Sequence, residues 1–264
     1  MTAWHSGVCE ANGVRIAYQR TGGDGPPVVL LHGLLGSGAG WTPLARALEG
    51  GFDVVMPDSR GHGASSTPNH GYRYDDLADD VVGLIRSLRL DHPVLLGHSM
   101  GGMTAAVVAS RGAGLLRGLV LVDPTFLSPE RQREVRDSDV AEQHRRALGL
   151  SRAELVAQGQ ARHPRRSPEI VELQADAKLK TRLEAFDVLT PPSPAYRDVV
   201  SAIAVPSLLV IGDSPVVTLE MATELGRLNP RVRVEQIANA GHGLPFEQPE
   251  RLAELAVSFL RELV

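Results

Sequence analysis

Apolar residues follow two rhythms along this chain, and the change between them divides it. Around Val8 and over residues 14–20, hydrophobic and polar positions alternate, with Val14, Ile16 and Tyr18 set against Arg15 and Gln19, the period-two pattern of strands with one face in a core. The two strands read as an antiparallel hairpin. From residue 27, short unbroken apolar runs at 28–31, 53–56 and 94–96 alternate with helix-length segments at 41–48 and 74–88, which is how a parallel sheet wound by crossovers looks in sequence. The segment 74–88 places Leu77, Val81, Leu84, Ile85 and Leu88 on one face, with Asp75 and Asp76 at its positive N-terminal end, and reads as a packing helix. A helix to about residue 111 and a strand over 118–122 follow, and there the alternation stops. Residues 124–204 carry only helical patterns: a charged segment at 128–148, a capping-box start at Ser151 (SRAE), and a further stretch from Ser167 to near 189, closed by TPPSP at 190–194. Strands resume at 207–211 and 231–237, before a last helix over 249–263. An all-helical insertion of roughly 80 residues inside an α/β chain predicts a cap over the carboxyl edge of the sheet, where open α/β folds bind ligands. The predicted organisation is a core of residues 1–123 and 205–264 and a helical cap of 124–204, inserted after strand 6 of a mostly parallel, doubly wound sheet.

The junction at 95–103, LLGHSMGGM, sets a serine among glycines where a strand gives way to a small-residue helix. A nucleophile needs such a place, because the helix N-terminus offers unpaired N–H groups and a positive dipole end, and Gly97 and Gly101 remove side chains that would clash. Gly97-His98-Ser99-Met100-Gly101 satisfies G-x-S-x-G. The bare string recurs by chance, but here it lies between a strand and a helix, and a carboxylate and a histidine follow in the order serine, acid, histidine. A serine hydroxyl becomes a nucleophile when a base takes its proton. His242, in the flexible Ala240-Gly241-His242-Gly243 between the last strand and the last helix, is placed to be that base. The other histidines have plainer readings: His62 and His98 belong to glycine turns, and His144 and His163 to charged cap surface.

With LLHGLLGS at 30–37, PDSRGHGAS at 57–65, GHSMGG at 97–102 and NAGHGLPFEQPE at 239–250 in that order, the chain resembles an α/β-hydrolase over nearly its whole length. The resemblance implies Ser99 as nucleophile, His242 as base, an oxyanion hole formed by the backbone N–H groups of Leu34 and Met100, and no cofactor. It leaves two positions for the acid. Many members carry it beyond a glycine after the penultimate strand, where this chain reads Gly212-Asp213-Ser214-Pro215, with the carboxylate two positions early. Others, haloalkane dehalogenases among them, carry it directly after the strand that precedes the cap, and Asp123 lies 24 positions beyond Ser99 in that place. Asp123 is preferred, with Asp213 the alternative. Phe126 and Leu127, just past that strand edge, are expected to line the substrate pocket and to favour apolar acyl groups. The turn at 58–63 is structural, pinned by Asp58 with Arg60.

Composition narrows the function classes. The chain has 264 residues, 43% hydrophobic and 22% charged, enough for a large soluble core. A formal charge of −4 gives no footprint for nucleic acid, and the local run Arg162-His163-Pro164-Arg165-Arg166 reads as solvated surface. The start of the chain lacks a basic and then apolar leader, and no run is long enough to span a membrane, so a cytoplasmic protein without a membrane partner is expected. Cys9 is the single cysteine, and no metal-ligand spacing appears among the histidines. Gly36-Ser37-Gly38-Ala39-Gly40 faintly follows a dinucleotide fingerprint, but its third glycine would fall at Trp41. The expected function is hydrolysis of a small carboxylic ester or lactone through an acyl-enzyme. A cofactor-free perhydrolase or haloperoxidase on the same elbow, and a non-catalytic binding protein on the same scaffold, are the alternatives.

Overall fold

The alternating N-terminal segments pair as expected. β1 (His5–Ala11) and β2 (Val14–Arg20) run antiparallel from Ala11 against Val14 out to His5 against Arg20. Asn12 and Gly13 between them both take positive φ, which a two-residue hairpin turn requires. The apolar runs become β3 (Pro27–Leu31), β4 (Asp53–Pro57), β5 (Val94–His98), β6 (Gly118–Val122) and β7 (Ser207–Ile211), and the alternating segment VRVEQ forms the edge strand β8 (Val232–Gln236). The computed structural model describes residues 4–112 and 114–264. Its single sheet has the order β1-β2-β4-β3-β5-β6-β7-β8, parallel from β4 through β8 and antiparallel at the β1 and β2 edge.

Alternation along each strand sends side chains to two separate cores. Val28, Leu30, Val54 and Met56 pack with Leu48 of α1 (Thr42–Leu48), while Val29, Leu31, Val55 and Leu95 pack with Leu77 of α2 (Tyr74–Ser87) and Met103 of α3 (Met100–Ser110). Strands buried on both faces need to be apolar throughout, which is why these runs are unbroken. Between β6 and β7 come α4 (Pro129–Asp137), α5 (Val140–Ala147), α6 (Arg152–Arg162), α7 (Pro168–Leu179) and α8 (Tyr196–Ala202). After β7 follow α9 (Leu219–Leu228), α10 (Leu244–Glu247) and α11 (Pro249–Glu262). No helix among the described residues is long and apolar enough to cross a membrane.

The chain leaves β3 for β4 on one side and returns to β5 on the other, and the helices that follow β3 and β5 lie on opposite faces of the sheet. A crevice therefore opens at the carboxyl ends of β3 and β5, the switch point where such folds bind ligands.

The structure amends several expectations. The charged segment 128–148 is two helices, broken where Ser138 turns extended. The stretch after Ser167 ends its α-helix at Leu179 and continues as a 3₁₀ segment, Leu183–Leu189. The expected cap boundary at 204 falls beyond α8, which packs on α3 and α9 in the core layer. Arg60 does not pin the turn with Asp58; it forms a buried ion pair with Asp80 of α2 at 2.5 Å. The Asp58 carboxylate holds the turn by accepting from the backbone N–H groups of Gly38 and Ala64 at 2.8 and 2.9 Å. His144 is buried against Phe186 rather than on a charged surface.

Candidate active site

Ser99 stands between β5 and α3 at φ 54° and ψ −118°, a conformation that costs an L-residue on the order of 1–3 kcal/mol. The surrounding backbone enforces it. Ser99 N–H donates to Val122 at 3.1 Å, and its carbonyl accepts from Met103 and Thr125 at 3.1 and 3.2 Å. The tight approach depends on two glycines: a Cβ on Gly97 would lie 2.2 Å from the Gly101 carbonyl oxygen, and one on Gly101 would lie 2.3 Å from that of Leu31.

The loop after β8 brings His242 to this turn. Its Nε2 is 2.9 Å from Ser99 Oγ, and its Nδ1 is 2.5 Å from Asp123 Oδ2. Asp123 follows β6, is fully buried, and also accepts from the backbone N–H groups of Val216 and Val217, each at 2.9 Å. Three donors thus converge on one carboxylate, the compensation that burial of an anion requires. Asp213 is exposed and turned elsewhere: its carboxylate accepts from Asn239 N–H at 2.5 Å, which fixes the chain leading into the His242 loop.

Neutral histidines surround the group. His98 Nε2 donates to the His242 carbonyl at 2.7 Å, and burial, with His242 close by, pushes its pKa down to about 3. His32 Nδ1 donates to the Gly33 carbonyl at 2.8 Å while its Nε2 accepts from Ser59 N–H at 3.0 Å; burial lowers its pKa to about 4. These bonds fix the backbone at 32–34 beside the serine. A Cβ on Gly33 would stand 3.0 Å from Ser99 Cβ. Leu34 lines the cavity, and Met100 opens α3, where the first N–H groups have no partner within the helix.

Ser99 and His242 open on a cavity of about 260 Å³. Phe126 and Leu127 do not line it, contrary to expectation. Phe126 is 1% exposed and stacks on Tyr196 of α8 at 5.5 Å between ring centroids. The reason is local: Phe126 N–H bonds to the Pro124 carbonyl at 2.7 Å, and this tight turn folds the ring into the core instead of over the sheet edge. The wall comes from the Gly33–Trp41 region, from α6 and α7, and from Phe246.

The residues that sequence reasoning missed are on this wall. Arg162, His163 and Arg166, read as solvated surface, line the cavity together with Lys178. Arg166 is an anchor as well. Its guanidinium donates to Glu247 Oε1 at 2.6 Å and Gln174 Oε1 at 3.1 Å, and Glu247 Oε2 accepts from Gly241 N–H at 2.8 Å. The turn carrying His242 is thereby tied to the helices above it. Helical spacing in the sequence, Val171, Gln174, Ala175 and Lys178, already marks the inward face of α7.

Comparison with known proteins agrees with this architecture. The model of the alpha/beta hydrolase fold matches residues 26–249. The 2-(acetamidomethylene)succinate hydrolase of Mesorhizobium japonicum is 27% identical over 256 residues, covering 91% of this chain and 90% of its own length. The N-formylmaleamate deformylase of Pseudomonas putida is 30% identical over 255 residues, covering 91% of each. Among solved structures, a thermophilic esterase from Thermogutta terrifontis superposes with a TM-score of 0.82 at 29% identity, over 98% of this chain and 99% of that one.

Proposed function

This chain belongs to the alpha/beta hydrolase fold family, and from that premise we propose that it hydrolyses a small carboxylic ester or lactone through an acyl-enzyme on Ser99. The observation that carries the reading is the unbroken hydrogen-bonded line from Asp123 through His242 to Ser99 Oγ, at 2.5 and 2.9 Å. His242 Nε2 takes the hydroxyl proton as Oγ attacks the substrate carbonyl, and Asp123 holds Nδ1–H so that the imidazolium formed is stabilised. The developing oxyanion is met by the N–H groups of Leu34 and Met100. Collapse of the tetrahedral intermediate re-forms the carbonyl and breaks the bond from its carbon to the leaving-group oxygen, with His242 returning the proton to the leaving alkoxide. Water, deprotonated by His242, then attacks the acyl-enzyme and releases the acid and free Ser99. Within residues 124–204, α4 to α7 act as the cap of this site, with α6 and α7 as the wall facing the serine and α8 belonging to the core layer.

Similarity to a deformylase at 30% identity favours one second reading, hydrolysis of an N-acyl bond by the same steps with an amine leaving. A panel of aryl esters, lactones and N-formyl amides separates the two. The test of the shared step is a fluorophosphonate probe with Ser99→Ala beside the wild type. Labelling and turnover are expected in the wild type only; equal labelling of both would overturn the nucleophile assignment.

A further inference from the structure

Two successive helices of the cavity wall carry one pattern. Leu155, Gln158, Gly159 and Arg162 of α6 line the cavity, and so do Val171, Gln174, Ala175 and Lys178 of α7, flanked there by Leu173 and Ala177. Each set is spaced i, i+3, i+4, i+7, a single helix face, and position by position both read apolar, glutamine, small, cation. Packing alone does not ask for the last position. A helix face turned towards an apolar enclosure is filled by hydrophobic residues along its whole length.

The wall holds donors without acceptors. Among the described residues neither Arg162 nor Lys178 has an ion-pair partner, although the neighbouring acids are engaged: Arg152 takes Glu172 and Asp176, and Arg166 takes Glu247. Among the described residues no Asp or Glu lines the cavity. Two further donors on its lining, Trp41 Nε1 and Arg166 Nε, are buried with no partner. Gln174 has its amide oxygen occupied by Arg166, which leaves its NH₂ as the group to offer. Burial, together with Arg162 and Arg166 nearby, holds the Lys178 ammonium below its ordinary pKa. A half-buried cation and orphaned N–H groups each cost free energy until an acceptor arrives. The whole chain carries −4, so this positive wall is opposed to the average of the molecule.

We propose that the α6–α7 wall is an anion-recognition site and that the substrate carries a carboxylate remote from its scissile carbonyl, held by Lys178 and Arg162 while the carbonyl sits at Ser99. The inference rests on the hydrolase reading above for the second half of that statement only. It replaces the expected preference for uncharged apolar acyl groups. Leu34, Trp41 and Phe246 still enclose the carbon chain between the two ends.

The test uses 4-nitrophenyl monoesters of glutaric, adipic and pimelic acids, each beside the same ester with its distal carboxyl methylated. At low ionic strength the best free acid is expected to exceed its capped partner in kcat/KM by about tenfold or more, the range of one charge-assisted contact. Lys178→Met should cut that ratio about tenfold, and added salt should shrink it in the wild type. The ratio cancels any general loss of activity. Arg162→Gln, on an exposed side chain, gives the same comparison with a smaller decrease should Lys178→Met fold poorly by circular dichroism. Capped esters cleaved as fast as the free acids throughout the series, or a ratio untouched by both variants, would overturn the proposal. If Ser99-dependent cleavage is seen with no ester, the ester reading fails by itself. Calorimetry with adipate then decides the anion site: binding that Lys178→Met weakens supports it, and no binding to the wild type refutes it.

Discussion

Asp123 and Asp213 follow adjacent strands, yet only one of them meets an imidazole. Asp123 is fully buried under His242 and two backbone N–H groups, whereas Asp213 is exposed and fastens Asn239. Asp123→Asn should therefore lower kcat by about 10³–10⁴ through loss of the working tautomer of His242. It should also cost about 1–3 kcal/mol of stability, because an amide NH₂ turned towards a buried N–H leaves that donor unpaired. Asp213→Asn should keep most of its kcat. Turnover of both variants, after denaturant melts show each to be folded, decides between them, and the reverse ranking would move the acid to the end of β7. Sequence spacing prefers Asp123 over Asp213 but only narrowly, since the difference lies in the positive φ of Asp123 and in where Val216 and Val217 point their N–H groups. Ser99 and His242 were easier to read because the glycines around them are conformational requirements written in residue type. Phe126 was misread for the opposite reason: a turn after Pro124, invisible in composition, decides which way its ring falls.

Elements were legible wherever their period was unmixed. The five-residue strands and α2 stand where the apolar pattern puts them, whereas α9 went unread although the parallel pairing of β7 with β8 demands a crossover between them. Read linearly, the basic run at 162–166 looks solvated. Once 152–162 is a helix, Arg162 shares a face with Leu155 and belongs to the wall. The same region supplies the tie between layers, from Gln174 on α7 through Arg166 to Glu247 on α10 and on to Gly241 N–H. Removing Glu247 with Glu247→Ala frees the turn that holds His242 and leaves the Arg166 guanidinium, 9% exposed as a side chain, without its anion. A loss of about 2 kcal/mol in stability is expected, with kcat reduced about three- to tenfold, since misplacing a base by a fraction of an ångström weakens proton transfer more than binding. Melting curves and a kcat-against-KM comparison measure the two effects, and an unchanged kcat in a destabilised variant would make the tie purely structural. In a cycle with Arg166→Met the coupling should be about 0.5–3 kcal/mol.

At the scale of the whole molecule, buried histidines make stability depend on pH. Burial pushes His32 down to about 4 and His62 and His98 down to about 3, while in the unfolded chain each titrates near 6.5. His32 and His62 also face each other at 4.9 Å between ring centroids, so a proton on one opposes a proton on the other. Above about pH 6.5 both states are neutral at these sites and no stability is lost. As pH falls below that value the unfolded chain takes up protons that the folded chain refuses, so folding stability must decrease, by about 1.4 kcal/mol per pH unit for each histidine. Three together give about 4 kcal/mol per unit between pH 6 and 4, against a total of about 5–15 kcal/mol for an ordinary domain. His144, lowered by burial as well, acts in the same direction. The protein is therefore expected to unfold in acid before its buried histidines reach their own folded pKa values. Urea midpoints measured from pH 7.5 to 4.5 should fall steeply below pH 6.5. His62→Gln removes one titrating ring whose Nε2 has no partner to lose, and it should flatten that slope by about one third. A midpoint that stays level down to pH 4.5 would mean that these rings accept protons in place, and that water reaches a region the packing closes.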